Sequence, residues 1–572
     1  MELCVKQELK PEELGTKWEL FTINEKKDVN PTEKTISEFS KKYQSLSKQK
    51  IVNVSPFKKG RLLNKSNTPS TVSLENSKRK RVESKENSEQ VNKEAISPDK
   101  KLVKTTSSSS ISKPAPDHLP QLENMYNKRE RSGQVLHKFG GNLAAKDLRE
   151  EDILRGRVQV EVSASRQWKY LYDTVNKRGF AQGNRLKEIS DQILQRYSLE
   201  SPGSASLHSL EEVVVVGRIV SEEEGLEERG MMLETYATSQ MNVGDVMTRV
   251  PLDFTSFRGD AQKYFGLHFG KIVALKGTNP KAKTFYVTQV YDDVSLPVMP
   301  REDFIDASSL QSVRVLCAAG PYTFHSGPLE SVFKPLEDLM AHIERLKPHL
   351  VVLSGPFVDV RQPSLSECQT ATFEEILESK FASKLESHSK KVNYKLLFQP
   401  SVYDALCVPT HPQPPLEKKS SWKTKAISNP SLLTLNKQLL LGVCSTDVLA
   451  ELHSGFVESV HVPKGTEKME RICSSFFSQQ SFFPIESPRL HFDSSLSSHL
   501  HFKEHSPDIL VLPSEKVPPF TCKVKDSLVV NPGHVISSDA SSSPGHFALL
   551  TVRSHQASPN IQERTTVEII NI

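Results

Sequence analysis

From residue 311 to the C-terminus, short apolar runs typical of buried strands alternate with segments of helical periodicity. Val313–Ala318 and Leu350–Leu353 are such runs, and Pro335–Leu346 lies between them with its apolar residues on one helical face. Runs this apolar belong to strands covered on both faces, so we expect an α/β domain with a largely buried sheet. Further strands are predicted at Tyr394–Phe398, Leu439–Val443, Ile509–Leu512, Ser527–Val530 and Phe547–Val552. A helix is predicted from the capping box Thr372–Glu375, with Phe373, Leu377, Phe381 and Leu385 facing inward.

Residues 211–297 have a different pattern, because short strand-like runs follow one another without helices between them. Five such runs suit a small Greek-key barrel of the OB type. They are Val213–Val216, Met231–Thr235, Val250–Phe254, Lys271–Lys276 and Thr284–Val290. Gly217 suits a bulge or bend, and Gly277–Lys281 is predicted to be the turn between the last two strands.

At 572 residues the chain is too long for one core. We expect a short helical N-terminal segment, which resembles a truncated helical domain, at 1–50, and a disordered linker at 51–155. A helical lead-in at 156–204, an OB-fold domain at 205–300 and an α/β domain at 301–572 follow. In the lead-in, Leu186, Ile189, Ile193, Leu194 and Tyr197 form one helical stripe. The predicted fold class is α+β multidomain, with an OB-type β-barrel followed by an α/β sandwich.

The predicted linker is rich in Ser, Lys, Glu and Asn and nearly free of aromatics, so it cannot bury enough apolar surface to order itself. It contains the basic cluster Lys78, Arg79, Lys80 and Arg81, which fits either a nuclear-import signal or a solvated charge run. Ser55 and Ser97 each begin a Ser-Pro-x-Lys pattern of proline-directed kinases. Together these features favour a regulated nuclear phosphoprotein.

The totals exclude several classes of protein. A net charge of +5 is too small for the whole chain to act as a nucleic-acid polyelectrolyte, so any such attraction must be local. The seven cysteines contain no Cys-x-x-Cys pair, and five lie beside or within apolar runs, which favours reduced, buried thiols over a zinc site. The longest apolar run, Leu439–Cys444, is too short to span a bilayer, so we expect a soluble intracellular protein.

The loops after the predicted strands are where a two-metal phosphoesterase carries its ligands. Such a site needs carboxylates and imidazoles from motifs of the type Asp-x-His, Gly-Asp, Gly-Asn-His and Gly-His-x-His. The chain has Pro321 and Tyr322 at the first place, Gly355 and Pro356 at the second, and Val402 and Tyr403 at the third. Pro356 cannot bind a metal, and Val402 and Tyr403 stand where Asn and His belong.

Only a few ligand-like residues remain near these loops. They are His325, Asp359, Asp404, His534 and His546. Each has an ordinary interpretation as well, since a lone carboxylate caps a loop and a lone histidine after glycine is a common loop residue. We therefore expect no catalytic residues, no dinuclear metal site and no cofactor.

An ordered series of short segments resembles the accessory B-subunit family of the replicative DNA polymerases. The segments are Ala319–Tyr322, Leu353–Phe357, Gln399–Ser401 with Asp404, His411–Pro415, Gly442–Asp447, Ser481–Pro484, Pro507–Ser514 and Val530–Gly533. Their order and spacing hold from about residue 205 to the end. The long basic linker with its Ser-Pro sites fits the alpha branch of the family best, and the branches of polymerases delta and epsilon are the alternatives.

The resemblance implies a non-catalytic regulatory subunit that scaffolds the C-terminal domain of the DNA polymerase alpha catalytic subunit and tethers primase for replication in the nucleus. It implies an OB-type β-barrel packed on an inactive calcineurin-like phosphoesterase α/β sandwich at 301–572, and only weak or indirect contact with DNA. A single-strand-binding protein and an active metallophosphoesterase are the less favoured alternatives. The first would use Tyr264, Phe265, Phe269, Phe285, Tyr286 and Tyr291 with Lys271, Lys276, Lys281 and Lys283.

Overall fold

The computed structural model describes most of the chain beyond residue 125. The described residues are 126, 128–140, 158–162, 168–170, 174–221, 230–236, 247–258, 264–300, 312–324, 332–362, 371–417, 424–459, 465–485, 490–536, 545–553 and 558–572. They all belong to one compact unit, residues 109–572. The helical segment predicted at 1–50, Ser55, Ser97, Lys78–Arg81 and His325 lie outside the described residues. In the part of the chain that is described, no helix is both long and apolar enough to cross a membrane.

Five strands between residues 209 and 291 close into a barrel in the order β3-β4-β5-β8-β7. They are β3 (Ser209–Ser221), β4 (Met231–Tyr236), β5 (Met247–Asp253), β7 (Ile272–Asn279) and β8 (Phe285–Tyr291). Val215, Leu233, Val273 and Phe285 are fully buried inside the barrel. The short helix α2 (Thr255–Arg258) and the two-residue strand β6 (Gly266–Leu267) connect β5 to β7.

Two details of the predicted barrel were wrong. The turn predicted at Gly277–Lys281 begins later, because β7 continues to Asn279. Gly217 is not at a bulge, since it pairs regularly with Val273 and the irregularity lies between Ser209 and Val213. A Cβ at Gly217 would lie 2.6 Å from the Leu233 side chain, so a close approach of β3 to β4 explains the glycine.

Helix α1 (Val175–Arg196) packs its predicted stripe on the outside of the barrel. Leu186, Ile189 and Ile193 are fully buried and share a cluster with residues of β3 and β7. Tyr197, which we placed on the same stripe, is 37% exposed just after the helix ends. The lead-in is not only helical, because β2 (Val160–Val162) pairs with a strand of the second sheet described below.

The rest of the chain forms two sheets packed face to face. The seven-stranded sheet has the order β1-β20-β19-β9-β10-β11-β12, and the six-stranded sheet has the order β17-β18-β16-β14-β13-β2. Strands of the first are β1 (Val135–Phe139), β9 (Ser312–Ala319), β10 (Leu350–Ser354), β11 (Lys395–Gln399), β12 (Lys425–Ala426), β19 (His546–Arg553) and β20 (Thr565–Asn571). Strands of the second, besides β2, are β13 (Ser431–Leu435), β14 (Leu439–Val443), β16 (Ile509–Val511), β17 (Phe520–Val524) and β18 (Ser527–Asn531).

Helices cover the outer faces of both sheets. On the seven-stranded sheet lie α3 (Lys334–Leu346), α4 (Phe373–Ile376), a π-helical turn (Leu377–Ala382) and α5 (Ser383–Val392). On the six-stranded sheet lie α6 (Val448–Gly455) and α7 (Lys468–Ser478). A short strand β15 (Val457–Glu458), a 3₁₀ helix (Ser494–His499) and α8 (Ile561–Arg564) complete the described elements.

The linker predicted at 51–155 extends too far. Residues 135–139 form the edge strand β1, which pairs antiparallel with β20. Tyr126 is 7% exposed within the core beside α3, and its hydroxyl donates to Asp338 at 3.0 Å. The strand β1 was not predicted from the sequence, because its residues are exposed or only partly buried and show no regular apolar alternation.

Candidate functional site

The loops after three parallel strands meet at one edge of the seven-stranded sheet. β9, β10 and β11 are neighbours, and Gly320, Gly355 and Ser401 follow closely after their carboxyl ends. The backbone N–H of Gly320 donates to Ser354 at 2.9 Å, and that of Gly355 donates to Gln399 at 2.8 Å. The sequence therefore placed these loops correctly, and we call their meeting point the strand-end site.

Asp404 is the anchor of the strand-end site. Its carboxylate accepts hydrogen bonds from the backbone N–H groups of Phe357, Val358 and Ser401, and the residue is 5% exposed. Burial raises the pKa of this carboxyl to about 7, although the three backbone donors oppose the shift. Asp404 thus uses both oxygens to hold two loops together.

Asp359 serves as a local cap, as a lone carboxylate was expected to do. It accepts from the backbone N–H of Arg361 at 2.9 Å and forms a bidentate ion pair with the guanidinium of the same residue. That guanidinium also lies 3.8 Å from the ring centre of Tyr403. Val360 and Tyr403 are 50% and 40% exposed beside it, so the opening of the site presents apolar surface.

Tyr322 fills the interior of the strand-end site. It is fully buried, its ring stacks on Phe357 with centroids 5.7 Å apart, and its hydroxyl donates to the carbonyls of Ala318 and Ser354. Pro321 and Pro356 follow the two glycines in the adjoining loops. A Cβ at Gly320 would lie 2.2 Å from the Pro356 carbonyl oxygen, and one at Gly355 would lie 2.1 Å from Asp404 Oδ2. The two loops therefore approach each other closely, and this close approach explains the glycine at both positions.

His534 reaches the same place from the loop after β18. Its Nδ1 contacts the carbonyl oxygen of Gly320, and its Nε2 is buried with no hydrogen-bond partner among the described residues. His546 is buried in the same region and its backbone N–H donates to the His534 carbonyl at 2.7 Å. Val402, next to Tyr403, has no group that binds a metal.

The residues at the strand-end site do not fit a two-metal centre. Such a centre needs several carboxylates and imidazoles converging on two ions. Across the described ranges, no group of three or more His, Cys, Asp or Glu side chains is placed to hold a metal ion. Asp404 is committed to backbone donors and Asp359 to Arg361, so neither has a free face for a metal.

Sequence reasoning missed a buried polar network beside this site. The Gln413 side chain donates to the Ser401 carbonyl at 3.0 Å, and the Asn429 side chain donates to Gln413 at 2.9 Å and to Thr446 at 3.1 Å. The Thr446 hydroxyl lies 3.0 Å from His411 Nδ1. Burial lowers the pKa of His411 to about 3, so this imidazole is neutral at physiological pH. In the sequence a proline follows each of His411, Gln413 and Asn429, and these prolines could have indicated loops of restricted conformation.

Several of the aromatic and basic residues considered for single-strand binding are buried or already have partners within the protein. Phe265 and Phe285 are core residues, and Lys271 is buried in an ion pair with Asp292. Lys276 is paired with Glu212 at 3.1 Å. Tyr264 donates to Glu458 on β15, and Tyr291 packs on Tyr197. Of the ten candidates, three are buried and seven remain at least partly accessible, namely Tyr264, Phe269, Lys276, Lys281, Lys283, Tyr286 and Tyr291.

The barrel and the sandwich are joined through a defined seam. β6 pairs antiparallel with β15, which follows α6 of the sandwich. The Gln479 side chain accepts from the Ile272 N–H at 2.9 Å and donates to the Ile272 carbonyl at 3.0 Å, as a neighbouring strand would do. Ser506 donates to Leu296 and Pro297, and Lys525 pairs with Asp293.

The family models and the similar proteins that match this chain all concern B subunits of DNA polymerases. The model of the B-subunit family of DNA polymerases alpha and epsilon matches residues 315–522, and the model of the OB domain of the DNA polymerase alpha B subunit matches residues 182–293. Curated proteins named as the B subunit of DNA polymerase alpha are similar over much of the chain. The Rattus norvegicus protein is 24% identical over 64% of this chain and 59% of its own length.

Two other relatives of the same name differ in coverage. The Drosophila melanogaster protein is 31% identical over 46% of this chain and 42% of its own length. The Schizosaccharomyces pombe protein is 25% identical over 68% of this chain and 70% of its own length. This chain therefore matches less than two thirds of the rat and fly proteins.

Proposed function

We propose that this chain is a member of the B-subunit family of DNA polymerases alpha and epsilon and a non-catalytic accessory subunit of DNA polymerase alpha. The observation that carries the proposal is the strand-end site, where Asp404 accepts from three backbone N–H groups and Asp359 is paired with Arg361, an arrangement that does not fit a two-metal centre. A framework kept without its ligands still offers a rigid surface for binding another protein. The names of the similar proteins support the choice of polymerase.

We further propose that the two-sheet sandwich is an inactive calcineurin-like phosphoesterase domain, at about 301–572, and that the barrel at about 205–300 is an OB-type domain. Support comes from the order of the loops at the strand-end site and from the match of the barrel region to an OB-domain model. In this proposal the barrel acts as a protein dock, because its aromatic residues are partly buried in its own core.

The proposed partner is the C-terminal domain of the polymerase alpha catalytic subunit, which would bind across the barrel and the sandwich together. Through that subunit the chain would tether primase, with only indirect or weak contact with DNA. The seam supports this platform, because it holds the two parts in one arrangement that a partner can recognise. A stable complex of this kind buries more than about 2,000 Å².

Co-purification tests the proposal directly. Tagged full-length chain should retain the polymerase alpha catalytic subunit in stoichiometric amounts, and should bind its isolated C-terminal domain at submicromolar concentration. The catalytic subunits of polymerases delta and epsilon serve as controls. A chain that stays monomeric with the alpha domain at micromolar concentration, or that retains the delta or epsilon subunit instead, would contradict it.

The non-catalytic part of the proposal has its own test. Purified protein assayed with phosphomonoester, phosphodiester and single-stranded DNA substrates should show no turnover with Mn²⁺, Zn²⁺ or Fe²⁺. Metal analysis should find no stoichiometric metal pair. Two bound metals per chain, with turnover that is lost in Asp359→Ala, would show that the site is active.

The predicted nuclear location rests on Lys78–Arg81 and on the replication role. Changing these four residues to Ala should lower nuclear accumulation, and Ser55 and Ser97 should be phosphorylated in dividing cells. Imaging of the quadruple variant and phosphopeptide mass spectrometry measure the two effects. Unchanged accumulation would mean that import depends on the partner or on another signal.

A further inference from the structure

A cavity of about 100 Å³ lies at the seam, where α1, the barrel and the segment 479–501 meet. Helix α1 contributes Gln182 and Arg185, and the barrel contributes Arg218 and Ile272. The segment 479–501 contributes Ser481, Ser494, Ser497 and His501, with Phe483 and Phe492 as an apolar wall. None of the described residues that line the cavity is an aspartate or a glutamate.

Two arginines bring positive charge to this cavity, one from α1 and one from the barrel. Arg218 is 7% exposed, and its Nη2 donates to the Gln182 carbonyl at 3.2 Å. The Arg185 side chain is 12% exposed and donates to Glu188, Gln479 and Gln480. An arginine has five N–H donors, so these contacts leave Arg185 Nε–H and one Nη1–H without an acceptor among the described residues.

The charge of Arg185 is poorly compensated. Burial lowers its pKa, and Glu188 offsets this only in part because that carboxylate is 54% exposed to water. His501 does not add to the charge, because burial and the nearby Arg185 lower its pKa to about 3. The cavity therefore combines two guanidinium groups, serine hydroxyls and a neutral imidazole, which are all groups that can donate to an anion.

We propose that this seam cavity binds one oxyanion group, the chemistry shared by a carboxylate and a phosphate. Guanidinium groups match the oxygens of such groups in pairs. Drug-sized ligands occupy about 300–1,000 Å³, so the cavity suits a single charged group and not a whole nucleotide. The apolar wall of Phe483 and Phe492 fits an acidic side chain with apolar neighbours on a partner's peptide, and free phosphate is the other source of the same chemistry.

Occupation would also strengthen the joint between barrel and sandwich. Arg185 lies on α1, Arg218 on β3 and the serines on the segment that carries Gln479, so one anion contacts all three. A ligand that binds only the folded, joined arrangement stabilises it in proportion to its concentration over its dissociation constant. The seam cavity would bind its anion whichever DNA polymerase the chain accompanies.

The test uses the full-length chain with two probes, inorganic phosphate and the peptide acetyl-Leu-Glu-Leu-amide. Acetyl-Leu-Gln-Leu-amide is the neutral control for the peptide. Calorimetric titration should show saturable binding of the acidic probes, weakened at least tenfold in Arg185→Gln and in Arg218→Gln. Arg249→Gln is the matched control, because Arg249 pairs with Glu234 on the barrel surface and is 56% exposed. Tighter binding of the peptide than of phosphate would identify a protein as the source of the anion, and the reverse order would identify the free ion.

Two further measurements separate binding from a loss of folding. Ser497→Asp places a carboxylate beside the arginines without removing them, so it should abolish anion binding while the protein stays folded. In the wild-type protein, a bound anion should raise the pKa of His501, followed by NMR of labelled histidines and assigned by its loss in His501→Asn. No saturable binding at millimolar phosphate or peptide, or binding that is unchanged in both arginine variants, would overturn the proposal.

Discussion

Asp404 anchors the loops of the strand-end site. Its two oxygens accept from three backbone N–H groups, and Gly355 packs so closely that a Cβ there would lie 2.1 Å from Oδ2. Buried backbone donors need acceptors, so the carboxyl group supports the loops after β10 and β11. The Asp404 carboxyl group therefore faces the protein backbone.

Asp404→Asn should destabilise the fold in a pH-dependent way. The amide NH₂ cannot accept, so at least one backbone N–H loses its partner, at a cost of about 1–3 kcal/mol. Because the folded-state pKa of Asp404 is raised to about 7, the wild type holds this proton more tightly when folded, and that stability is lost as pH rises from about 4 to about 7. The variant does not titrate, so its deficit in urea unfolding should be larger at pH 5 than at pH 8.

Glu374→Gln is the control, because Glu374 is exposed in the first turn of α4. Its effect should stay within about 0.5 kcal/mol at both pH values. An equal deficit for Asp404→Asn at pH 5 and pH 8 would contradict the raised pKa, and no deficit at either would contradict the anchoring role.

At the scale of elements, the strands and helices that were predicted correctly are those whose apolar residues form one continuous run or one buried helical face. β9, β10 and β11 are continuous apolar runs, and the Thr372 capping box begins a helix whose residues Leu377, Phe381 and Leu385 are buried as expected. β1 and β20 were missed, because β1 is an edge strand and β20 mixes Thr and Glu with its apolar residues. Their pairing joins residues more than 400 positions apart, which no local pattern records.

Thr372→Ala should cost about 1 kcal/mol, because the Thr372 hydroxyl accepts from the Glu375 N–H at 3.2 Å and the Glu375 side chain accepts from the Thr372 N–H at 2.9 Å. Thermal unfolding of the full chain measures the change. Thr372→Ser retains the hydroxyl and should recover most of the stability. A deficit as large in Thr372→Ser as in Thr372→Ala would mean that the methyl group and not the cap matters.

Two deletions distinguish the linker from the folded segment that follows it. Removing residues 51–120 should leave stability nearly unchanged, because that composition cannot support a core. Removing 51–155 also removes β1 and Tyr126, whose ring packs on Phe324 with centroids 5.0 Å apart. The loss of Tyr126 alone should cost about 2–3 kcal/mol. Equal urea midpoints for the two deletions would show that β1 and Tyr126 add nothing to the fold.

At the scale of the whole molecule, the strand-end site could be located from sequence but its contents could not. Gly355-Pro356 and Val402-Tyr403 led to the prediction that metal ligands are missing, which stays a prediction. The stacking of Tyr322 on Phe357 and the three bonds to Asp404 depend on side chains brought together by the fold, so no local pattern could predict them. The seam was expected only as a packed pair of domains. The Gln479 side chain bonds the sandwich to Ile272 of the barrel. In the sequence it cannot be distinguished from any other polar residue at the end of a helix.

We therefore expect Gln479→Ala to weaken binding of the partner without unfolding the protein. The variant removes both hydrogen bonds to Ile272 and leaves a buried backbone N–H and carbonyl without these contacts, at a cost of about 1–3 kcal/mol localised at the seam. If the catalytic subunit's C-terminal domain binds across barrel and sandwich together, its affinity should fall about tenfold while far-ultraviolet circular dichroism stays unchanged. Gln289→Ala, on the exposed face of β8, should bind normally. Unchanged affinity in Gln479→Ala, with its loss of stability confirmed, would mean that the partner needs only one of the two domains.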